Sequence, residues 1–408
     1  MRVISDKAEC CGCTACSSIC PRNCIEMLPD EEGFLYPSIQ SGDCIGCHAC
    51  EQVCPFPEGN AAQESRASVY AAVQYADEAK RFTSTAGGAF SLIADHLLRD
   101  GAVVYAAGYD GDAVVCHQRV ETGDGVAGLR GSKYVQSRLG DVFRRVKTDL
   151  QDENTVLFTG TPCQIHGLKK YVGDNEHLYT IDLLCLGVSS PALFREYVNY
   201  LSGKYGERVA RIQFRDKHYG YAAPNIRICF HSGRFIEQQY DSKVHADLFF
   251  RSYYDARPSC YSCKFRGIAR VSDFTIGDFT EIGSVSREMD DDKGTTKLWA
   301  HSPKGQALLR ELSLPHKMTV LEESASNIVG GPERQIPQPE RRAEFFRDAG
   351  TMEYAALIRK WAPKSLRGEL VGLAKRGINR LPFRSFIFKI IRARSRKRYH
   401  NRVRDLNW

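Results

Sequence analysis

Cys10, Cys13, Cys16 and Cys20 are followed at once by Pro21, and Cys44, Cys47, Cys50 and Cys54 by Pro55, so one C-x2-C-x2-C-x3-C-P run occurs twice. Three thiolates spaced by two residues can wrap three corners of an iron–sulfur cubane while backbone amides point at its sulfurs. The proline then turns the chain away. This spacing predicts two 4Fe-4S clusters, with the fourth cysteine of each run crossing to the other run's cluster. The expected ligand sets are Cys10, Cys13, Cys16 and Cys54, and Cys44, Cys47, Cys50 and Cys20. A zinc site draws on separated C-x2-C pairs, not a triple run closed by Cys-Pro. A disulfide framework needs an oxidising compartment, and Met1 to Asp6 shows no basic stretch followed by an apolar one. Cys11 and Cys24 fall outside the register and are expected to be small buried packing residues.

Four more cysteines stand where they could do chemistry. Cys163 lies at a strand-to-helix turn, Thr159-Gly160-Thr161-Pro162-Cys163, and Cys185 ends the apolar strand Leu178 to Cys185. Cys260 and Cys263 form a C-x2-C pair ahead of Ser272-Asp273-Phe274-Thr275-Ile276-Gly277-Asp278. Strand ends of an α/β sheet converge on one edge, where ligands bind. Four thiolates gathered there could hold a third cluster, whereas single cysteines at such edges are more often packing. Cys163 near a helix N-terminus could instead have a depressed pKa and act as a nucleophile, with His166 one turn on as its base. Ser84-Thr85-Ala86-Gly87-Gly88 opens a helix and suits an anion such as a pyrophosphate, and Gly131-Ser132-Lys133-Tyr134 offers a cation, a hydroxyl and a ring. No Walker sequence occurs. His218, Tyr219 and Tyr221 are conceivable proton donors beside the surface role such residues usually have.

The elements that must position these residues are legible in part. Strands are predicted over Ser68 to Tyr75, Val103 to Ala107, Ala113 to Val120, Thr155 to Thr159 and Leu178 to Cys185, with helices over Ala89 to Leu98, Asp141 to Leu150, Pro162 to Tyr171 and Pro191 to Leu201. This alternation predicts an α/β domain, and the antiparallel signals at Arg211 to Phe214, Ile226 to Phe230 and Arg234 to Gln238 make its sheet content mixed. The expected organisation is a dicluster domain of bacterial ferredoxin type at 1–60, a linker from Phe56 to Ala67, a mixed-sheet α/β domain at 68–305 and a helical extension at 306–408.

At 408 residues, 43% hydrophobic and 26% charged, the chain can bury a sizeable core. No apolar stretch is long enough to span a bilayer, and a cytoplasmic location is expected. The net charge of +7 is local: Lys364 to Trp408 carries 14 Lys and Arg against Glu369 and Asp405, which leaves the preceding residues at about −5. That basic amphipathic tail could lie on an anionic membrane face, or dock on the protein's own core or a partner. Nothing in the body resembles a base-reading module, so nucleic acid is not an expected partner.

Taken in order, Ser84 to Phe90, Gly131 to Ser137, Thr159-Gly160-Thr161-Pro162-Cys163-Gln164-Ile165, Asp182 to Cys185, Phe214 to Lys217, Cys260-Tyr261-Ser262-Cys263 and Ser272 to Phe279 resemble the coenzyme F420 hydrogenase/dehydrogenase beta-subunit family. The resemblance covers residues 1 to about 290. It implies an iron–sulfur flavoprotein with FAD, with Cys163, Cys185, Cys260 and Cys263 as ligands of a third cluster. It also implies FAD contacts at Ser84, Thr85, Gly87, Gly88, Ser132, Lys133, Tyr134, Thr161 and Asp278. Leu186 and Ala86 depart from the family pattern, where a histidine and a serine are usual. The expected function is a flavin-dependent iron–sulfur oxidoreductase that passes electrons between a ferredoxin-like or deazaflavin carrier and an organic substrate. By analogy with bacterial relatives it would work in surface polysaccharide biosynthesis. The alternatives are an electron-transfer subunit without a substrate of its own, feeding a partner enzyme, and a zinc-stabilised interaction protein.

Overall fold

A computed structural model describes residues 6–57, 68–237, 240–313, 317–321 and 335–362, with isolated positions at 377, 378 and 387. Most of the sequence-predicted linker and nearly all of the basic tail lie outside the described residues.

The first unit holds α1 (Ala15–Ile19), the hairpin β1 (Ile25–Pro29) and β2 (Leu35–Ile39), and α2 (Ala49–Gln52). After it come β3 (Val69–Gln74), α3 (Glu78–Thr83), α4 (Ala89–Arg99), β4 (Val103–Tyr109), β5 (Val115–Val120), α5 (Gly123–Leu129) and α6 (Val142–Gln151). The chain continues through β6 (Val156–Gly160), α7 (Pro162–Val172), β7 (Leu178–Leu183), α8 (Pro191–Tyr205), β8 (Val209–Asp216), β9 (Asn225–Phe230), β10 (Phe235–Glu237) and α9 (Tyr240–Phe250). The last described elements are β11 (Phe274–Asp278), β12 (Thr296–Ala300), α10 (Pro303–Leu312), β13 (Lys317–Leu321), α11 (Arg342–Thr351) and α12 (Tyr354–Trp361).

Eight strands form one sheet in the order β13-β3-β12-β11-β7-β6-β4-β5. Its centre, β11-β7-β6-β4, is parallel, and every pairing outside that centre is antiparallel. The parallel strands are covered on both faces, as the side-chain period of two requires. Val156 and Phe158 of β6 face a core with Phe143, Val146 and Leu168 of α6 and α7, whereas Leu157 faces Leu92, Val126 and Leu308 of α4, α5 and α10. The predicted strands after Arg211 form a separate three-stranded sheet, β10-β9-β8, packed with α8, α9, α11 and α12 through Phe194, Tyr197, Phe230 and Phe345. β12 and β13 carried no alternation that would announce them. Because β13 pairs with β3, the expected boundary at 305 falls inside the unit that bears the sheet.

The cysteine-rich unit is built into this body. Ala15, Val53 and Phe56 belong to the same core as α6 and α7, and Phe56 meets the edge of Phe265 at 5.8 Å between ring centroids. Arg144 of α6 caps the end of α1, donating to the carbonyls of Ser17 and Ser18 at 2.7 and 3.1 Å. At the hairpin turn, Arg342 of α11 grips the Glu32 carboxylate with both Nη groups and also donates to the Ala256 carbonyl and Tyr261 hydroxyl. Gly167 of α7 leaves the space that Cys13 fills, since a Cβ there would come 2.7 Å from the Cys13 Sγ.

Gly167→Ala therefore lowers stability by about 1–3 kcal/mol through overpacking, although alanine favours the helix by about 1 kcal/mol. Gly128→Ala, on the open face of α5 with nothing within 4 Å, leaves stability unchanged or raises it. Anaerobic urea midpoints of the two variants check the pair.

Candidate functional site

The two N-terminal runs share one backbone wrap. Gly12 and Gly46 precede the second cysteine of each run with φ of +68° and +67°, and Thr14 and His48 follow it with φ of +66° and +59°. The turn so formed aims the Gly12 amide at the Cys10 Sγ, 3.4 Å away. Cys20 lines one void with Cys24, Cys44, Cys47 and Cys50, and Cys16 has Cys10, Cys54 and Cys50 as neighbours. Burial, together with those neighbours, pushes the Cys16 thiol up to about 12. The two halves differ in exposure, with Cys10 and Cys13 buried and Cys47 exposed.

Cys163, Cys185, Cys260 and Cys263 come together from three elements. Thr161 and Gln164 form a reciprocal capping box that starts α7, with Pro162 in its first turn and Cys163 just inside. Cys185 lies two residues past β7, and the Gly187 amide donates to its Sγ at 3.3 Å. Gly187, at φ +115°, passes close to Cys260, which ends a short helical turn from Pro258. The Cys263 backbone is held at both its N–H and its C=O by the Gln335 amide, at 3.1 and 3.0 Å. Cys163, Cys185, Cys260 and Cys263 all line one void. Among the described residues no three ligating side chains converge on one point as a lone ion requires; the thiols stand around spaces.

Cys11 lines that same void, and its thiol has Cys13 and Cys163 as neighbours. Its register predicts only a packing role, because no spacing rule marks a cysteine whose neighbours lie across the fold. Cys24 likewise reaches a ligand set, 3.4 Å from the Cys20 Sγ. The helix-terminal position does not depress Cys163: its contact with Cys11 and its burial raise it well above the ordinary thiol value. His166 is buried with its ring against Phe265, 5.0 Å between centroids. Both features run against a nucleophilic role for Cys163.

Beside this void, at the carboxyl ends of the parallel strands, a cleft of about 820 Å³ opens. It shares Thr161, Gln164, Cys185, Gly187, Val188 and Arg270 with the cysteine-lined void, so one wall serves both. Ser84, Thr85, Gly88, Ser132, Lys133, Tyr134, Thr161 and Asp278 line it. The two Gly/Ser segments are tied together, the Ser132 amide donating to Thr85 Oγ1 at 3.0 Å. Gly88, at φ +90°, caps the N-terminus of α4. Gly87 does not line the cleft. Its need for glycine comes from the sheet, where a Cβ would meet the Val73 carbonyl at 2.0 Å and the Thr296 amide at 2.6 Å. Lys133 is turned away from a ligand role, its Nζ donating to the Leu129 and Arg130 carbonyls at 2.6 and 3.2 Å, and burial pulls its pKa down to about 7.

The lining also holds residues beyond the expected contacts. Arg130, Arg215, Arg270 and Lys297 line the cleft with Asp278 and Glu281, a cationic excess. Arg215 pairs with Asp278 at 2.7 Å and Lys297 with Glu281 at 3.1 Å. Tyr134, held at φ +50°, meets Phe250 and Phe214 edge-on at 4.6 and 5.5 Å. Lys217 braces the Ser84–Gly88 loop from behind. Its Nζ donates to the carbonyls of Arg81, Ala86 and Lys293, an arrangement that uses the ammonium form although burial lowers its pKa to about 7. His117 Nε2 donates to the Thr159 carbonyl at 2.9 Å, its Nδ1 accepts from Ser137, and Ser137 accepts from Gln164 Nε2 at 3.1 Å. His117 and Ser137 thereby fix Gln164 on the shared wall. His218, Tyr219 and Tyr221 are not part of the lining.

Residues 153–325 match the family model described as the C terminus of the coenzyme F420 hydrogenase/dehydrogenase beta subunit, and residues 9–57 match a 4Fe-4S dicluster domain. Among solved structures, a chain of the F420-reducing [NiFe] hydrogenase complex from Methanosarcina barkeri is similar at 12% identity and a TM-score of 0.43, over 73% of this chain and 93% of that one. A comparison with curated proteins finds no match.

Burial lowers the His117 pKa to about 4, so it stays neutral in the fold while an unfolded histidine takes up a proton near pH 6.5. Stability falls as pH drops through that window, and the His117→Gln variant should lose about 1.4 kcal/mol less per pH unit than the parent. Urea midpoints of both proteins from pH 7 to pH 5 check the difference.

Proposed function

We propose that this chain, which belongs to the coenzyme F420 hydrogenase/dehydrogenase beta-subunit family through residues 153–325 and carries an N-terminal 4Fe-4S dicluster domain, is an iron–sulfur flavoprotein oxidoreductase that acts on an organic substrate in the cleft. The observation that carries this reading is the wall shared between the void of Cys163, Cys185, Cys260 and Cys263 and the cleft at the strand ends. Cys11, with Cys13 and Cys163 as neighbours, links the dicluster unit to the same wall. A relay from the outer dicluster set to the cleft is the arrangement that would profit from this order.

The residues fit the groups. Cys163, Cys185, Cys260 and Cys263 arrive from three separate segments and line one void, with the Gly187 amide donating to the Cys185 Sγ. We assign them to a third 4Fe-4S cluster on that ground. The cleft, at about 820 Å³, is at the upper end of the roughly 300–1,000 Å³ usual for ligand sites. Its cationic excess suits a ligand with phosphates. FAD would supply the exchange between one two-electron reaction and single-electron carriers. The α4 N-terminus at Gly88 and the Thr85–Ser132 pair would hold its pyrophosphate, with Lys217 keeping that loop in place from behind. Tyr134, Phe214 and Phe250 exclude water from the opposite side. Arg215 and Asp278 remain at the rim to orient the substrate. A carrier subunit with no substrate of its own would need the flavin site but no closed pocket beside the flavin. Exposed Ile45 and Cys47 at the outer dicluster set offer a contact to a ferredoxin-like donor under either reading.

Anaerobically purified protein should contain about twelve irons and twelve acid-labile sulfides, from three four-iron clusters, with one FAD. Cys163→Ser and Cys263→Ser should each lose about four irons and keep the dicluster signal. Full iron content in both variants defeats the third cluster, and a colourless flavin-free preparation defeats the whole reading. Flavin reoxidation by a candidate substrate in the isolated chain separates the enzyme from the carrier subunit.

A further inference from the structure

Arg257 is 1% exposed, yet none of its acceptors is a carboxylate. Its Nε donates to the Cys10 carbonyl at 2.8 Å, Nη1 to Gln136 Oε1 at 2.8 Å, and Nη2 to the Leu35 carbonyl at 3.0 Å and the Cys10 Sγ at 3.6 Å. The guanidinium lies over the rings of Tyr36 and Phe34, 4.3 and 5.4 Å from their centroids. Gly12 permits this approach, because a Cβ there would come 2.9 Å from Nη1. On its other side Arg257 lines the void of Cys163, Cys185, Cys260 and Cys263. A guanidinium keeps its charge at any accessible pH, and a buried charge without a counter-charge is strongly unfavourable. The anions within its reach are thiolates of two cysteine sets.

We propose that Arg257 is the counter-charge shared by the Cys10 set and the Cys163 set, a positioning residue that raises the reduction potential of the clusters they carry. The inference rests on the iron–sulfur reading above. Uptake of one electron from a one-electron carrier adds one negative charge to a thiolate-ligated centre, with no bond made or broken and no proton moved. A fixed cation with a hydrogen bond to a ligand sulfur favours the more negative state, since net charge and hydrogen bonds to sulfur set these potentials. Gln136, which accepts from Nη1 and donates to the Cys11 carbonyl at 3.0 Å, fixes the guanidinium against the segment joining the two sets.

The test uses the full chain, purified without oxygen as parent, R257K, R257M and R257Q, with iron and sulfide counted first. Each is then equilibrated with mediators and followed by EPR of the reduced clusters. At the parent's midpoint for the inner dicluster centre, R257M and R257Q should show the reduced-to-oxidised ratio lowered about tenfold, about 59 mV for one electron. R257K, which retains the charge, should stay within about twofold. Iron loss confined to the neutral variants also supports the assignment, and where only one of them keeps iron its ratio decides. An unchanged ratio at full iron in the neutral variants overturns it. So does an equal fall in R257K, or iron loss in all three variants, which would make the residue a packing strut. A parent without iron or sulfide brings down the cluster reading and this inference together, so the two failures are told apart.

Discussion

Gathering the thiols of Cys10, Cys11, Cys13, Cys163, Cys185 and Cys260 in or beside one interior obliges the surrounding chain to supply either protons or a shared positive charge. A thiolate in a dry site is as unwelcome as any other bare anion. The fold meets this demand with backbone amides aimed at sulfur, as at Gly12 and Gly187, and with the Arg257 guanidinium. The close passages of chain follow from it: the left-handed turn at Gly12, the missing side chain at Gly167, and the tight turn at Gly187 beside Cys260.

The cysteine-rich unit is accordingly a layer of the molecule and not a separate bead on a linker. Its contacts reach α6 through Arg144, α7 through Gly167, α8 through Gly33 against Ala192, and α11 through Arg342. Such contacts fix the relative placement of two cysteine sets more firmly than a flexible tether could. The sheet contributes the other half of the order. Parallel strands β6, β7 and β11 end together, so Thr161, Cys185 and Asp278 arrive at one edge although more than ninety positions separate the last two in sequence.

What the sequence disclosed and what it hid divide along physical lines. Residues bound by spacing were legible: the doubled run, the C-x2-C pair, the proline-started α7 and the glycine-closed α4 all announce themselves through local geometry. The main sheet was legible where apolar runs alternate with amphipathic helices. β12 and β13 were not, because a strand such as Thr296–Ala300, buried along its whole length, has no polar face to alternate with. Tertiary pairings were invisible for a different reason. Arg257, Gln136, Gln335 and the His117–Ser137–Gln164 chain act across separations that no local pattern encodes. Cys11 looked idle because its meaning lies in the neighbour it meets across the fold, not in its register. Gly87 was mistaken for a ligand contact because a glycine before a helix looks the same whether ligand or sheet demands it.

Gln335 bears on how the molecule can be divided. Its amide clasps both backbone groups of Cys263, Ile336 packs beside Cys260, and Arg342 a few residues later fastens the N-terminal hairpin. A shortened version ending where the family match does, at 325, would keep every cysteine yet lose this clasp. Fragment work guided by similarity alone would therefore misjudge how robust the native molecule is, blaming on the metal centres a fragility introduced by the scissors.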